Sequence, residues 1–157
     1  MTRALIPVLA IGAAIGLMFP SSEPEAQPAR PVQPGAPPPE VRLEREGNGH
    51  FYVHGEVNGQ LARFVVDTGA SMVALTMEDA ERLGVPFNEA DFEIVGTGAS
   101  GPVMGQMVKL DRVVVEGREV RDVSGAVLDG LEISLLGQSF LSRIGTVEMN
   151  GEYMILR

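Results

Sequence analysis

Hydrophobic and polar positions divide the chain into three stretches. From Ala4 to Phe19 runs an uncharged apolar segment, with Arg3 as the only charge before it. As a helix these sixteen residues would extend about 24 Å, slightly short of the ~30 Å hydrocarbon core of a bilayer. The run predicts an uncleaved membrane anchor or, alternatively, the apolar region of a cleaved signal peptide. No clean A-x-A site follows it, so the anchor is the first expectation. Arg3 would hold the N-terminus inside, and the rest of the chain would cross. Residues 20–40 hold eight of the eleven prolines. Such a segment builds no core and reads as an extended, semi-rigid tether. The expected organisation is residues 1–20 as anchor or signal, 21–40 as Pro-rich linker and 41–157 as one folded domain.

From residue 41 on, short apolar runs alternate with turn signals, which is the pattern of strands. VRLERE alternates. HFYVHGEV and LARFVV flank Asn58-Gly59, RVVVEG and REVRDV flank Glu116-Gly117, and GTVEMN and EYMILR flank Asn150-Gly151. Each of these pairs predicts a hairpin. FEIV and VMGQMVKL also read as β. Two short helices interrupt the pattern. TMEDAERLG has Thr76 as N-cap, Asp79 three residues on, and Gly84 then Pro86 as a stop. QSFLSRI, after Gly137, is the second. The predicted class is mainly β, with one or two short helices.

Composition removes several functions. The chain has 157 residues and a formal net charge of −9, and its acidity without a basic run argues against nucleic acid as a partner. There is no cysteine, which excludes a disulfide scaffold, a thiol nucleophile and a Cys-ligated metal. His50 and His54 lie four apart on an expected strand, about 13 Å by strand rise, too far to share one metal. No metal site is predicted.

The chemistry concentrates in residues 64–71, FVVDTGAS. A buried strand runs into Asp67, and the chain then turns at Thr68-Gly69. By itself this is also what a structural Asx turn at a strand end looks like. Two carboxylates acting together can instead hydrolyse a peptide bond, one activating water and the other acting as acid. Gly69 has no side chain and lets a substrate or another backbone approach. No second D-T-G or D-S-G occurs in the chain, and Asp129-Gly130 lacks the hydroxyl residue between.

Apolar-apolar-Asp67-Thr68-Gly69-Ala70 resembles the active-site loop of pepsin-like aspartic proteases. Leu135-Leu136-Gly137, followed by Gln138-Ser139-Phe140-Leu141, resembles their second hallmark, two apolar residues and a glycine leading into a short helix. The spacing from Asp67 to Gly137 is similar to that of the single-domain retropepsin branch, and the helix after the active-site loop is similar to bacterial, membrane-anchored members. This resemblance covers about residues 50–157. It implies a retropepsin-like closed β-barrel protomer with a flap hairpin. It implies a homodimer in which two Asp67 carboxylates meet at a two-fold axis, acting on a protein or peptide substrate without a cofactor. Thr68 would lock the two loops together. Gly96, Thr97, Gly98, Ala99, Ser100 and Gly101 would form the flap tip over the substrate. The expected location is the inner membrane, single-pass through residues 4–19, with the domain in the periplasm; cleavage of the segment would instead give a periplasmic or secreted protein. Ser71 stands where viral members often carry an acid.

Three other patterns compete with this reading. Gly96, Gly98 and Gly101 match G-x-G-x-x-G, but the nucleotide-binding motif requires a helix at the third glycine, and Pro102 and a β pattern follow instead. Ser71 and Ser100 do not lie in G-x-S-x-G. Met104 and Met107, near the expected flap, read as packing residues. The rival function from another class is a retropepsin-fold module that binds peptides or dimerises without cutting.

Overall fold

The computed structural model describes residues 39–98 and 101–157. The expected anchor, most of the expected linker, and flap-tip residues Ala99 and Ser100 lie outside the described residues.

The strands are β1 (Val41–Glu44), β2 (Tyr52–Val57), β3 (Gln60–Val66), β4 (Val73–Thr76), β5 (Glu93–Gly98), β6 (Gly101–Val115), β7 (Arg118–Leu128), β8 (Leu135–Leu136), β9 (Val147–Asn150) and β10 (Tyr153–Leu156). The helices are α1 (Met77–Arg82) and α2 (Gln138–Leu141), with a 3₁₀ turn at Glu89–Asp91. Seven strands lie in the order β2-β3-β8-β4-β7-β6-β5, and β2 also pairs with β6. That extra pairing, Gly55–Val57 against Val113–Val115, closes the sheet into a barrel. Gly55 is required at this seam, since a Cβ there would sit 2.8 Å from a Val115 methyl and 2.9 Å from the Val114 carbonyl. β1, β10 and β9 form a separate three-stranded sheet.

The 15-residue β6 does three jobs along its length. Its start pairs with β5 as a hairpin, its middle and end with β7, and its last residues also with β2. The two apolar runs read separately from the sequence are thus one strand. The inward-facing Val57, Phe64, Leu75, Leu110, Val113 and Val115 are completely buried, as are Phe140 of α2 and Met154 and Leu156 of β10. All belong to one core. Each such side chain contributes roughly 1.5–3 kcal/mol of transfer free energy.

Turn chemistry follows the sequence at two hairpins. Asn58 and Gly59 (φ 52° and 89°) and Glu116 and Gly117 (φ 48° and 78°) both have the left-handed pair that a type I′ turn needs. The third hairpin differs. Asn150 pairs with Tyr153, so Gly151 and Glu152 are the central residues, and of these only Gly151 has positive φ. This is the pattern of a type II′ turn with glycine first. α1 begins as expected: Thr76 Oγ1 accepts the Asp79 N–H at 3.0 Å, and Gly84 ends it at φ 67°. α2 is shorter than QSFLSRI suggested, covering four residues.

Arg118 is the one buried cation among the described residues, 4% exposed. Its Nη2 donates to the carbonyls of Pro39 (2.9 Å) and Leu156 (2.8 Å), and its Nε has no partner among the described residues. On the barrel surface, a hydrogen bond from Arg112 holds the Glu119 carboxyl below the usual carboxylate range, helped by Arg121.

Candidate active site

β8 decides the site although it has only two residues. It pairs parallel with the end of β3, Val65 to Leu135 and Val66 to Leu136, and antiparallel with β4 through Ala74. The loop 67–72 must therefore pass over the end of β8, bringing the two sequence motifs together. Asp67 N–H donates to the Leu136 carbonyl at 3.1 Å. Gln138 N–H donates to Ala70 O at 2.8 Å, and Ser139 N–H to Ser71 O at 3.1 Å. Gln138 Nε2 adds a bond to Thr68 O at 2.9 Å. The loop lies so close to Gly137 that a Cβ there would sit 2.2 Å from Met72 O and 2.7 Å from Ala70 O. That contact explains the glycine of the L-L-G motif.

Within the loop, Gly69 N–H donates to Asp67 Oδ1 at 2.8 Å. The Asx turn that the sequence allowed is therefore present. It engages one carboxylate oxygen and fixes the orientation of the group, so the turn and a chemical role are compatible. Asp67 is half-buried, while Thr68, Gly69 and Ser71 are exposed and Ala70 is half-buried.

Two cavities flank the loop and meet at Leu135. One, of about 200 Å³, lies between residues 69–72 and the flap, with Ala70, Met72, Val95, Val103 and Leu128 among its walls. The other, of about 400 Å³, is bordered by Asp67 itself, together with Asn48, His50, Tyr52, Glu132 and Ile133. The described residues expected to form a flap lie in the β5–β6 hairpin. Gly96, Thr97 and Gly98 close β5, and Gly101 opens β6 opposite Gly98. The G-x-G-x-x-G glycines thus sit in an antiparallel hairpin and not before a helix. The register shifts by one residue between Ile94 and Gly96, a bulge at Val95. Val95 and Val103 both line the smaller cavity. Met104 faces the other way, opposite Ile94, and is 40% exposed; Met107 is 47% exposed. Neither methionine is packed into the core as the sequence reading expected: Met104 lies across from Ile94, itself 65% exposed, and Met107 lies on the β6–β7 ladder across from Ala126 with its side chain toward solvent.

His50 lies before β2 and meets the Tyr52 ring edge-on at 6.4 Å, while His54 is exposed within β2. The two are therefore not on one strand. Among the described residues no cluster of three His, Asp or Glu could hold a metal ion.

One supporting residue, Ser134, was not singled out from the sequence, and the bonding of Ser139 was not foreseen. Ser134 is completely buried in front of β8. Its Oγ accepts the Thr76 N–H at 3.2 Å and donates to the Asp79 carboxylate, while its carbonyl accepts the Val65 N–H at 2.9 Å. Ser139 Oγ accepts the Val73 N–H at 3.0 Å and donates to Ser124 O at 2.6 Å. Both serines occur in apolar surroundings, in EISLLG and QSFL, and a buried hydroxyl such as that of Ser134 implies a partner. Ser134→Ala is expected to lower stability by about 2 kcal/mol in urea unfolding, since it leaves a donor and a carboxylate oxygen unpaired.

Comparison with known proteins adds five likenesses, one to a family, two to relatives and two to solved structures. Residues 53–143 match the family described as "gag-polyprotein putative aspartyl protease". An uncharacterised protein of Rickettsia prowazekii is 39% identical over 118 residues, 74% of this chain and 51% of the relative. Another, from a Sinorhizobium species, is 35% identical over 120 residues, 75% of this chain and 52% of the relative. The chain thus spans about half the length of these curated relatives. Among solved structures, a retropepsin-like aspartic protease from Rickettsia conorii superposes with a TM-score of 0.63 at 36% identity, covering 75% of this chain and 90% of that one. The EIAV protease, at 20% identity and a TM-score of 0.52 over 63% of this chain and 91% of its own, shares the fold.

Proposed function

This chain belongs to the gag-polyprotein aspartyl protease family and has a retropepsin-like, mainly β fold, and from that premise we propose that it is an aspartic endopeptidase completed by a second copy of itself. The observation that carries the reading is Asp67: one carboxylate, oriented by the Gly69 amide, bordering one cavity, while the loop that follows it borders a second cavity walled by the β5–β6 hairpin. Only one such loop is present in the sequence. A two-fold interface is isologous and would set Asp67 of one protomer against the same residue of its partner.

In the proposed mechanism two facing carboxylates share one proton, because like charges in contact disfavour double ionisation. The ionised member takes a proton from water as its oxygen attacks the scissile carbonyl carbon. The protonated member gives its proton to the carbonyl oxygen. The tetrahedral intermediate then collapses, a proton passes to the amide nitrogen, and the C–N bond breaks. No metal or organic cofactor takes part in this scheme. The substrate would lie extended between the flap (residues 96–101) and the floor, bound through backbone hydrogen bonds.

Thr68 is proposed to tie the two loops together, its exposed position at the loop supporting that role. By symmetry Thr68→Ala removes the contact twice. At ~1 kcal/mol for each hydrogen bond, the dimer dissociation constant should rise about tenfold or more, with the protomer's melting unchanged. Sedimentation across a concentration series measures this, and an unaltered monomer–dimer equilibrium would remove Thr68 from the interface.

The apolar run at residues 4–19 supports a single-pass inner-membrane location with the domain in the periplasm, or a periplasmic or secreted form if the run is removed. Confinement on a membrane would raise the effective concentration of protomers. The test of the whole reading is digestion of a diverse peptide pool by the full chain in mild detergent, with new termini read by mass spectrometry. Specific activity that climbs with protein concentration is the expected result. No new termini from a confirmed dimer would make the chain a peptide-binding module.

A further inference from the structure

The two cavities beside Asp67 differ in charge. Among the described residues, the smaller one is lined by glycine, aliphatic, Met, Ser and Thr residues and includes no ionisable side chain. The larger one, which Asp67 borders, also carries Glu132, with His50, Asn48 and Tyr52, and among the described residues it includes neither Lys nor Arg. None of the ion pairs found among the described residues involves Glu132. Arg63 stacks on the Tyr52 ring at 3.9 Å, but its guanidinium is tied to Glu46 at 2.8 Å. Asn48 Nδ2 donates to the Tyr52 hydroxyl at 2.6 Å, which leaves the tyrosine oxygen fixed as a neutral polar wall. Glu132 is thus an exposed carboxylate with no ion-pair partner among the described residues, at the edge of a cavity large enough for a long side chain. The folded part as a whole has ten basic and eighteen acidic residues from Val41 on, so its field draws cationic peptides.

We propose that Glu132 is a specificity-determining residue, and that it selects peptides with a Lys or Arg side chain in the cavity next to Asp67 and an aliphatic one in the neighbouring cavity. The proposal rests on the protease reading for its consequence in catalysis. Adjacent residues of an extended peptide point to opposite sides, which suits two cavities that divide the active-site loop between them. A symmetric dimer would present the same pair of cavities twice, so the preference should recur on both sides of the cut.

The test uses the full chain and matched peptides with Lys, Arg or the neutral isostere norleucine at each position flanking the cleavage site. Wild type should favour the basic peptides about tenfold in kcat/KM, the scale of a hydrogen bond to a charged group. Glu132→Gln should bring that ratio close to one, Glu132→Asp should keep most of it, and Glu132→Lys should favour Glu in its place. A ratio unchanged by Glu132→Gln, or a wild type that prefers norleucine, overturns the proposal. Binding of the same peptides to Asp67→Asn, read by fluorescence anisotropy with and without Glu132→Gln, separates the two claims. A charge preference in binding that Glu132→Gln erases, with no cleavage by wild type, would sink the protease reading and leave Glu132 as the selector. Cleavage without charge preference would do the reverse.

Discussion

Asp67→Asn is expected to abolish peptide cleavage while leaving the fold and the dimer in place. The substitution is nearly isosteric. Its amide oxygen can still accept the Gly69 N–H that now binds Oδ1 at 2.8 Å, so the loop keeps its turn. Asp67 is half-buried, and its backbone bond to Leu136 O does not depend on the side chain. What disappears is the ability to take a proton from water, and in a symmetric pair it disappears from both sides. A positioned general base or acid contributes about 10²–10⁴ in rate, so a loss of at least ~10³ in kcat is expected. Melting temperature and sedimentation should match wild type. Cleavage that survives in Asp67→Asn would place the chemistry elsewhere in the chain.

Gly137→Ala should damage the fold more than any other single methyl added at the site. The new Cβ would overlap two backbone carbonyls, Met72 O and Ala70 O, and no side chain could move aside to admit it. Either the 67–72 loop lifts from β8 or α2 shifts away. In both cases the bonds from Gln138 N to Ala70 O and from Ser139 N to Ser71 O are strained or lost. Overpacking costs about 1–3 kcal/mol and each hydrogen bond about 1 kcal/mol. A total near ~4 kcal/mol would lower the melting temperature by roughly 15 °C in a domain of this size. Any folded fraction should also cleave poorly, because Asp67 is aimed by the same loop. A calorimetric melt within a few degrees of wild type would show that the loop has freedom the structure does not suggest.

Local chemistry made much of this domain legible in its sequence. Asn58-Gly59 and Glu116-Gly117 marked their hairpins because a type I′ turn needs two left-handed residues in a row. Thr76, Asp79 and Gly84 marked α1 because caps are built from neighbours in the chain. Asn150-Gly151 marked a turn but placed it one residue early, since glycine serves equally well as the first residue of a type II′ turn. The pieces that were not legible depend on distant partners. β8 has two residues and no periodicity of its own; it is a strand only because β3 and β4 lie on either side. The closure of β2 on β6 leaves its trace in Gly55, which reads as an ordinary strand glycine until Val115 is placed against it. At the site, the D-T-G and L-L-G motifs carried the expectation, and the structure brings them into contact. Glu132 remained hidden, because nothing near it in the sequence shows that it shares a cavity with Asp67.

Arg118 has a consequence for how this domain can be held. One nitrogen of a buried guanidinium grips the carbonyl of Pro39 and that of Leu156. Traction arriving from upstream of residue 39 is therefore received by β7 and β10 together, and not by β1 alone. The loop that aims Asp67 is wired through β3 and β8, outside that path. Pulling on residue 39 should therefore load β7 and β10 before it reaches the β3–β8 pairing that holds the Asp67 loop.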